Sequence, residues 1–394
     1  MATHDNFVGE RVVQVIPLEP PKSEESGAME DDELVRLRPE SVNPNNVRVG
    51  MEDFQALKLI GKGAYGTVRL VRKLNGNDAG RRYAMKSIQK SGVVICASSV
   101  VRSKAERDVL ASVRSPFICD LVYAFQTNGK LVLIFEFLQG GDLFTELQRR
   151  NVLPQKDAVF YTTEVFIAVE HLHRCGVLHR DLKPENVMID ASGHLKLTDF
   201  GLCKPDIGQD SRTNSYCGSA THMAPEVILK RPYGYSADWW SFGIMLYDML
   251  VGKTPFYATT PLETKRNVLC QALKLPPFLS AEAQDFLTRL LRKKVEDRLG
   301  SGPSGSNAIK SHAIFSNINW HDAYARKMQP PMIPTLQDVF SPSLQQYSPN
   351  TNNVFAGFTY TAPTAATEVG NTIVENDGLE LMNNGQDDVI QYFG

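Results

Sequence analysis

The sequence predicts an α+β fold of two lobes, a small and mainly β lobe followed by a larger and mainly α lobe. The chain has 394 residues, which exceeds one ordinary domain. Residues 54–86 alternate apolar and polar side chains around closely spaced glycines, a pattern typical of strands and hairpins. After Gly140 and Gly141, apolar residues recur at helical spacing in residues 157–175, and a very apolar helix is predicted for DWWSFGIMLYDML.

Composition and charge exclude several classes of protein. Hydrophobic residues make up 42% of the chain, enough for sizeable cores, and the net charge of −2 gives no reason to expect nucleic acid or membrane binding. No run approaches 18 apolar residues, and the N-terminus lacks the apolar core of a signal peptide. Six scattered cysteines without a C-x-x-C pair favour reduced thiols. We expect a cytoplasmic, or also nuclear, monomer without a membrane span.

The composition changes along the chain and divides it into four parts. Residues 1–52 are rich in Pro, Glu and Asn and are expected to be disordered, either as a docking segment or as a solvated tail. The folded domain is expected at 53–315, with the first lobe at 53–137 and the second at 138–315. A tail with its own motifs follows at 316–362, and a disordered acidic tail at 363–394.

The first lobe opens with a glycine-rich loop. Gly61, Gly63 and Gly66 form G-x-G-x-x-G, which alone is a weak signal. A dinucleotide-binding fingerprint needs a helix directly after the last glycine, and a Walker loop needs G-K-[ST], but here the alternating strand TVRLVRKL follows. We therefore predict a hairpin whose backbone amides cover nucleotide phosphates. The remaining expected contacts with the nucleotide come from Ile60, Val68 beneath the adenine and Ala84 beside it.

Lys86 lies between apolar residues, where a lysine needs a partner for its ammonium group. The segment 100–114 has helical spacing, and Glu106 is an acid among its apolar positions. We expect Glu106 to pair with Lys86, which then binds the α and β phosphates, although an exposed helix carboxylate is the alternative. The strand KLVLIFEF leads into a Gly-Gly linker, so backbone groups of Glu136 and Leu138 are expected at the adenine edge.

The stretch His179–Gly201, HRDLKPENVMIDASGHLKLTDFG, carries the chemistry. An H-R-D-L-x-x-x-N loop followed by D-F-G is the arrangement used for phosphoryl transfer, which needs a carboxylate for the hydroxyl and oxygen ligands for magnesium. Asp181 is the predicted catalytic base, and Lys183 is predicted to steady the transferred phosphoryl group. Asn186 and Asp199 are the predicted magnesium ligands. ATP and Mg²⁺ are therefore the expected cofactors, and the sequence predicts a kinase.

Two further expectations concern the larger lobe. Asp238, at the head of an apolar helix, is expected to be a capping carboxylate, a buried anchor for the catalytic loop, or both. Arg298 is a candidate buried partner of Glu226 in the Ala224-Pro225-Glu226 run, with a structural role. Between Gly201 and Ala224 lies a long polar stretch that resembles an activation segment.

These residues resemble the AGC group of protein Ser/Thr kinases, and within it the ribosomal protein S6 kinase family. The similarity rests on KLTDFGLCK, YAFQTNGKL, DLKPEN, SADWWSFG, LPPFLS and GFTYTAP, and it covers about residues 52–362. It implies the bilobal protein kinase fold with an AGC C-terminal tail, ATP-Mg chemistry, and protein substrates with Arg-rich Ser/Thr sites. Asp142, Glu185 and Asp248 match the acids that bind substrate arginines.

The resemblance also implies regulation by phosphorylation in growth and nutrient signalling. Ser215 matches the site of the phosphoinositide-dependent kinase, and Thr359 matches the hydrophobic-motif site of the target-of-rapamycin complex. Ser348 matches the turn-motif site best, with Ser341 as the runner-up. A phosphate on Ser215 is expected to meet cations such as Arg180 and Lys204. A phosphate on Thr359 is expected to meet Lys104 or Arg102.

Some positions depart from the family pattern. His179 replaces the usual Tyr, and Thr221-His222 replaces Glu-Tyr, so one acid that contacts substrate arginines is missing. A charge-assisted hydrogen bond contributes about 1.5–3 kcal/mol, so the arginine preference should weaken without disappearing. No clear rapamycin-pathway docking motif and no basic autoinhibitory tail is found.

The competing hypothesis is a catalytically silent scaffold with the same fold. Such proteins usually lose the equivalents of Lys86, Asp181, Asn186 or Asp199, and all four are present here. A tyrosine kinase is disfavoured because Lys183, two residues after the base, is the Ser/Thr-type choice.

Overall fold

The computed structural model describes residues 49–63, 66–89, 106–208, 211–302 and 304–334. It confirms the predicted α+β fold, with an antiparallel sheet in the first lobe and a helical second lobe. Of the extension predicted to be disordered, only residues 49–52 are described, and Met51–Asp53 forms a short 3-10 turn there. Ser348 and Thr359 lie outside the described residues, as do Lys104, Arg102 and Ser341.

The first lobe is built on one five-stranded antiparallel sheet. Its strands are β1 Phe54–Gly63, β2 Gly66–Lys73, β3 Arg82–Gln89, β4 Leu121–Gln126 and β5 Lys130–Glu136. Their order in the sheet is β1-β2-β3-β5-β4. The predicted glycine hairpin is present, because Gly63 pairs with Gly66 across β1 and β2. Strand β3 continues past Lys86 to Gln89, where it still pairs with β5.

The register of this sheet decides which side chains face the site. Val68 lies directly opposite Lys86, and residues opposite each other in an antiparallel pair share a face. Ala84 lies two residues before Lys86 on the same strand and therefore points the same way. The other face carries an apolar cluster that includes Val71, Met85 and Ile134. The sheet thus separates a nucleotide-facing surface from a small core.

The first lobe also contains one helix, α1, whose described part is 106–112. The second lobe is mainly helical. None of the helices in the described ranges combines the length and the hydrophobicity needed to cross a bilayer. The longer helices are α2 Leu143–Arg150, α3 Gln155–Arg174, α5 Ser236–Val251, α6 Pro261–Cys270 and α7 Ala281–Leu290. The shorter ones are α4 Pro225–Ile228, α8 Gly305–Lys310 and α9 Trp320–Tyr324.

Aromatic side chains hold the helices of the second lobe together. Phe166 of α3 stacks on Trp239 of α5, with 5.7 Å between ring centroids, and its edge contact with Trp320 of α9 is 5.2 Å. Both Phe166 and Trp239 are fully buried. Rings of this size contribute most of the burial energy in a core. Helix α9 therefore belongs to the packed lobe although it follows the predicted domain end.

A short hairpin, β6 Val187–Ile189 and β7 Leu195–Leu197, follows the catalytic loop. Its turn is closed by Asp190, whose carboxylate accepts hydrogen bonds from the backbone amides of Ser192 and His194. Beyond α9, Arg326 forms an ion pair with Asp190. The turn of this hairpin is thereby linked to the segment that follows α9.

The chain after α9 runs across this hairpin towards the linker between the lobes. Gly193, with φ +89°, lies so close to it that an added Cβ would come within 2.1 Å of the Met332 carbonyl oxygen. At Gly140 an added Cβ would come within 2.6 Å of the Pro334 ring. Only glycine permits these approaches. The start of the C-terminal tail is therefore fitted against both the hairpin and the linker.

Candidate active site

Lys86 is held between two carboxylates at the boundary of the lobes. Its Nζ lies 2.7 Å from Oε1 of Glu106 on α1 and 3.2 Å from Oδ1 of Asp199. The side chains of Lys86 and Glu106 are 9% and 3% exposed, so the alternative of an exposed helix carboxylate is wrong. The pair joins the sheet, α1 and the D-F-G segment in one network.

Charge and burial act against each other in this network. Burial disfavours the ammonium form of Lys86, but the carboxylates of Asp199 and Glu106 raise its pKa above the usual value. Burial raises the pKa of Glu106, and Lys86 opposes that effect. Burial also acts against the charged form of Asp199, yet Lys86 lowers its pKa below the usual range. The lysine therefore keeps its charge, and Asp199 is ionised at neutral pH.

Asp181 lies in a ring of hydrogen bonds in the catalytic loop. Its Oδ2 is 2.8 Å from Nζ of Lys183, and its Oδ1 accepts a hydrogen bond of 2.8 Å from the hydroxyl of Ser219. Lys183 also donates to that hydroxyl at 2.9 Å. Burial disfavours the charge on Lys183, but Asp181 and Glu185 raise its pKa. The two predicted catalytic residues therefore form a buried ion pair in direct contact.

The two predicted magnesium ligands lie next to this ring. Asn186 donates through its amide nitrogen to the backbone oxygen of Asp181 at 2.8 Å and to Oδ2 of Asp181 at 3.2 Å. The backbone oxygen of Asn186 accepts from Thr198 N at 2.8 Å, which places the neighbouring Asp199 beside the loop. Among the described residues, the amide oxygen of Asn186 has no hydrogen-bond partner. An amide oxygen and a carboxylate are the hard ligands that Mg²⁺ prefers.

Asp238 anchors the catalytic loop from below. It is fully buried, and its carboxylate accepts hydrogen bonds from the backbone amides of His179 and Arg180, both at 2.9 Å. The ring of His173 lies 2.8 Å from the same carboxylate. The capping alternative is wrong, because α5 begins at Ser236 and has no side-chain cap. Burial opposes ionisation, but these partners lower the pKa of Asp238.

The replacement of Tyr by His179 is accommodated by packing. The His179 ring is fully buried and meets the ring of Phe200 of the D-F-G segment edge to face, 5.4 Å between centroids. Burial lowers the pKa of His179, so the imidazole is neutral at pH 7. The catalytic loop and the D-F-G segment are thus joined through a neutral aromatic contact.

The linker between the lobes presents backbone groups, as the sequence suggested, but not all of those expected. The amide of Glu136 donates to the Asp120 oxygen at 3.1 Å, and its carboxylate pairs with Lys196. Of the backbone groups of Glu136, only the carbonyl is therefore expected to accept a hydrogen bond from the edge of the adenine. Leu138 is buried, and its backbone amide and carbonyl have no hydrogen-bond partner among the described residues.

The three acids matched to arginine recognition come together around Glu185. Burial raises the pKa of Glu185, and the charges of Asp181 and Asp142 add to this while Lys183 opposes it. Burial also raises the pKa of Asp248 to about 6, and Glu185 adds to the rise. Among the described residues, the buried Oε2 of Glu185 has no hydrogen-bond partner. These carboxylates form an acidic cluster beside the catalytic base.

Ser215 is exposed on the segment after D-F-G. Its backbone contacts Tyr233, and the guanidinium of Arg180 lies near that tyrosine. The hydroxyl of Tyr233 donates to the Ser215 carbonyl at 2.7 Å. Burial raises the pKa of Tyr233, and the nearby Arg180 guanidinium opposes this. Arg180 donates to the carbonyls of Leu202 and Cys203, while its buried Nη1 has no hydrogen-bond partner in the described ranges. Lys204, the second expected cation, is exposed.

Ser219 is the contact that sequence reasoning missed. It lies 38 residues after Asp181, and no periodicity or spacing separates it from the other hydroxyl residues of that segment. The neighbouring His222 was noted only as a departure from the family pattern. It is buried, and burial lowers its pKa to about 3, so a neutral ring occupies the position.

Comparison with known proteins agrees with this geometry. The family model described as protein kinase domain matches residues 54–315. The chain belongs to the protein kinase family. It is 44% identical to ribosomal protein S6 kinase beta of Caenorhabditis elegans over 384 residues, which cover 93% of this chain and 67% of that protein. Two contacts of the site, Lys86–Glu106 and Asp181–Lys183, lie within the matched region.

Two vertebrate relatives extend the comparison. The kinase is 43% identical to ribosomal protein S6 kinase alpha-6 of Danio rerio over 330 residues, covering 80% of this chain and 44% of that protein. It is 41% identical to ribosomal protein S6 kinase alpha-2 of Mus musculus over 367 residues, covering 88% and 49%. The chain spans less than half the length of these two relatives. It is an S6-kinase-like member of the protein serine/threonine kinases.

Proposed function

We propose that this kinase transfers phosphate from Mg-ATP to Ser or Thr residues that follow arginines, and that phosphorylation of its own segments switches it on. The observation that carries the substrate preference is the acidic cluster of Asp142, Glu185 and Asp248 beside Asp181, in which the buried Oε2 of Glu185 has no partner among the described residues. An ionisable group buried without a partner needs a cation to be stable. A substrate guanidinium meets that need and satisfies two carboxylate oxygens at once.

The residues present fit a nucleotide with its metal. Asn186 and Asp199 would hold Mg²⁺ through their amide and carboxylate oxygens, and Lys86 would bind the phosphates. Val68, Ala84, Ile60 and the backbone of Leu138 would enclose the adenine. When bound, Mg-ATP supplies the phosphoryl group and neutralises its charge.

The protein's own residues then act on the acceptor hydroxyl. Asp181 accepts the hydroxyl proton at one of its carboxylate oxygens and orients the hydroxyl towards the phosphoryl group. Lys183 keeps a positive charge beside Asp181 and would stabilise the negative charge of the transferred phosphoryl group. Ser219 restrains both side chains, so little reorganisation is needed when the substrate binds.

The first prediction concerns the pH dependence of substrate use. With an Arg-x-Arg-x-x-Ser peptide, kcat/KM should fall about tenfold between about pH 7 and pH 5. The reason is that Asp248, with its pKa raised to about 6, takes up a proton below that pH and no longer attracts a guanidinium. Steady-state kinetics across this range measure the effect, because kcat/KM reports the free enzyme.

Two controls separate this effect from a general loss of activity. The Asp248→Asn variant should start with a lower kcat/KM, and the part of the pH dependence due to this acid should vanish. A peptide with Ala in place of both arginines should be used poorly at every pH. Equal use of the two peptides by the wild type would exclude arginine recognition. Absence of transfer to any peptide, with ATP binding retained, would favour the scaffold.

Activation by phosphorylation follows from the position of Ser215. A phosphate adds a charge of about −1.5 to −2 and three acceptor oxygens. Arg180 lies near Tyr233, which contacts the Ser215 carbonyl, and its Nη1 has no hydrogen-bond partner among the described residues. Because Arg180 directly precedes the base Asp181, a new contact there steadies the catalytic loop.

We propose that the phosphoinositide-dependent kinase modifies Ser215 and that the target-of-rapamycin complex modifies Thr359. Ser348 is proposed as the turn-motif site, in a cytoplasmic and nuclear protein of growth signalling.

The second prediction tests this switch. Phosphoserine encoded at position 215 should raise kcat about 10- to 150-fold, the range that one charge-assisted hydrogen bond network supports. In the Arg180→Gln variant the same modification should change kcat by less than about threefold. The matched control is phosphoserine at exposed Ser211 of the same segment, which should have little effect. Full activation in the Arg180 variant would assign the switch to another cation.

A further inference from the structure

One exposed surface of the second lobe is not used by the proposed function. It consists of Tyr216 on the segment after D-F-G, Leu229 and Lys230 after α4, and Leu262 and Lys265 on α6; we call it the Tyr216 surface. Leu229 is 45% exposed and Leu262 is 78% exposed. Helices α4 and α6 pack against each other, so these elements form one continuous face. Clustered apolar exposure of this kind marks an interaction site.

Tyr216 stands between two lysines at the centre of this face. Nζ of Lys265 lies 5.2 Å from the centroid of its ring, and Nζ of Lys230 lies 5.9 Å from it. Cation–π contacts of this length hold ammonium groups over a ring from two different elements. The phenol itself is 40% exposed, so the face offers an aromatic ring flanked by positive charges.

The side chains on α6 are arranged so that one face packs and another points to solvent. Thr264 and Val268 are buried, whereas Leu262 and Lys265, three residues apart, share the outer side. Arg231 and Arg266 are also exposed nearby. In the described part of the chain, neither these arginines nor the two lysines form an ion pair with a carboxylate. The one acid of the helix start, Glu263, is engaged with Thr260.

The chain itself contains a segment with the complementary composition. Residues 363–394, outside the described residues, have six acidic and no basic side chains, and because the whole chain carries −2, the rest carries +4. Apolar residues stand next to these acids, as in Val374-Glu375 and Leu379-Glu380-Leu381. An apolar and positive surface is matched in sign and in hydrophobicity by such a segment.

The length of the chain allows this contact. Glu368 follows Pro334, the last described residue, by 34 residues. Such a stretch spans up to about 110 Å when extended. A folded domain of about 300 residues is only about 50 Å across. The acidic segment can therefore meet the Tyr216 surface wherever the intervening chain runs.

We propose that the acidic segment 368–394 docks in cis on the Tyr216 surface. Acidic side chains such as Glu375 and Glu380 pair with Lys230 and Lys265, and the intervening apolar residues cover Leu229 and Leu262. Docking also covers Tyr216 and so limits access to the adjacent Ser215. This consequence for Ser215 rests on the proposed function, whereas the docking itself does not.

Hydrogen–deuterium exchange on the full chain tests the proposal without using activity. We take a Kd of about 0.1 mM for the contact between the acidic segment and the Tyr216 surface, and an effective concentration of the tethered segment of about 1 mM. The exchange rates of the α6 amides should then be about tenfold lower than without the contact. The variant Glu375→Gln, Asp377→Asn, Glu380→Gln should lose this protection, and so should Lys265→Glu. Combining Lys265→Glu with Glu375→Lys and Glu380→Lys should restore it, because the charges are exchanged.

The matched control is Lys156→Glu, which reverses an exposed charge at the start of α3 and should leave the exchange of α6 unchanged. Equal exchange of α6 in the wild type and in the neutralised tail variant would overturn the proposal. Protection that weakens on dilution of the protein would also overturn it, since that result assigns the surface to a second copy. Protection that is independent of concentration and restored by the charge exchange supports docking in cis. Phosphorylation of a short peptide by the same variants is a separate readout of the proposed function.

Discussion

Replacing Asp181 by Asn is expected to lower kcat for peptide phosphorylation by about 10²- to 10⁴-fold. An amide has nearly the same shape as the carboxylate but cannot accept the proton of the substrate hydroxyl. It also removes the charge that pairs with Lys183 at 2.8 Å. Single-turnover and steady-state phosphate transfer measure the loss, and nucleotide affinity should stay within a few fold of the wild type because Asp181 is not among the expected nucleotide contacts.

Ser219→Ala provides the matched control for this prediction. It removes one hydrogen bond of 2.8 Å to Asp181 and one of 2.9 Å from Lys183, but leaves both charged groups in place. Hydrogen bonds to charged groups contribute about 1.5–3 kcal/mol, and because Asp181 and Lys183 keep their direct contact at 2.8 Å, we expect the lower end of this range, a fall in kcat of about tenfold. If Asp181→Asn retained most of its activity, or lost no more than Ser219→Ala, another group would have to be the base.

Removing one partner of the buried Arg298–Glu226 pair is expected to lower the free energy of unfolding by about 3–5 kcal/mol. The two guanidinium nitrogens meet the two carboxylate oxygens at 2.6 and 2.9 Å, and the side chains are 0% and 5% exposed. Arg298 also donates to the backbone oxygens of Ser236 and Arg292. Either Glu226→Leu or Arg298→Met leaves the other charged group buried without its partner. Urea unfolding of the full chain measures the difference.

The double variant Glu226→Leu, Arg298→Met distinguishes a buried pair from a general packing defect. It buries no unpaired charge, so it should be more stable than either single variant. The exposed pair Arg289–Asp285, with side chains 56% and 48% exposed, supplies the control, since Arg289→Ala should cost at most about 1 kcal/mol. Additive losses in the double variant would contradict the role assigned to the pair.

The catalytic loop was predictable from sequence because its residues are close neighbours along the chain. Asp181, Lys183 and Asn186 lie within six positions, and D-F-G comes after a hairpin of alternating residues. Such local spacing restricts geometry before any packing is considered. The hairpin over residues 61–66 was predictable for the same reason, because the residues after the glycines alternate as in a strand and lack the spacing of a helix.

Some long-range contacts could be predicted because a buried charged side chain needs a partner of opposite charge. Lys86 between apolar residues and Glu106 among apolar helix positions each required a partner, and the structure joins them at 2.7 Å. The same reasoning anticipated Glu226 and Arg298. For Asp238 the sequence allowed two roles, and only the position of α5 beneath the catalytic loop decided that the carboxylate anchors His179 and Arg180.

By itself, the sequence determined the two-lobed fold, the identity of the reacting groups and the partners of isolated buried charges, since these depend on local spacing and on the cost of burying charge. Only the tertiary structure decided which groups meet when many candidates exist. Ser219 joins Asp181 from a segment rich in hydroxyl residues, and the acids around Glu185 converge from three separate elements. Those contacts depend on how helices and loops pack, and packing is not encoded in any short stretch of the chain.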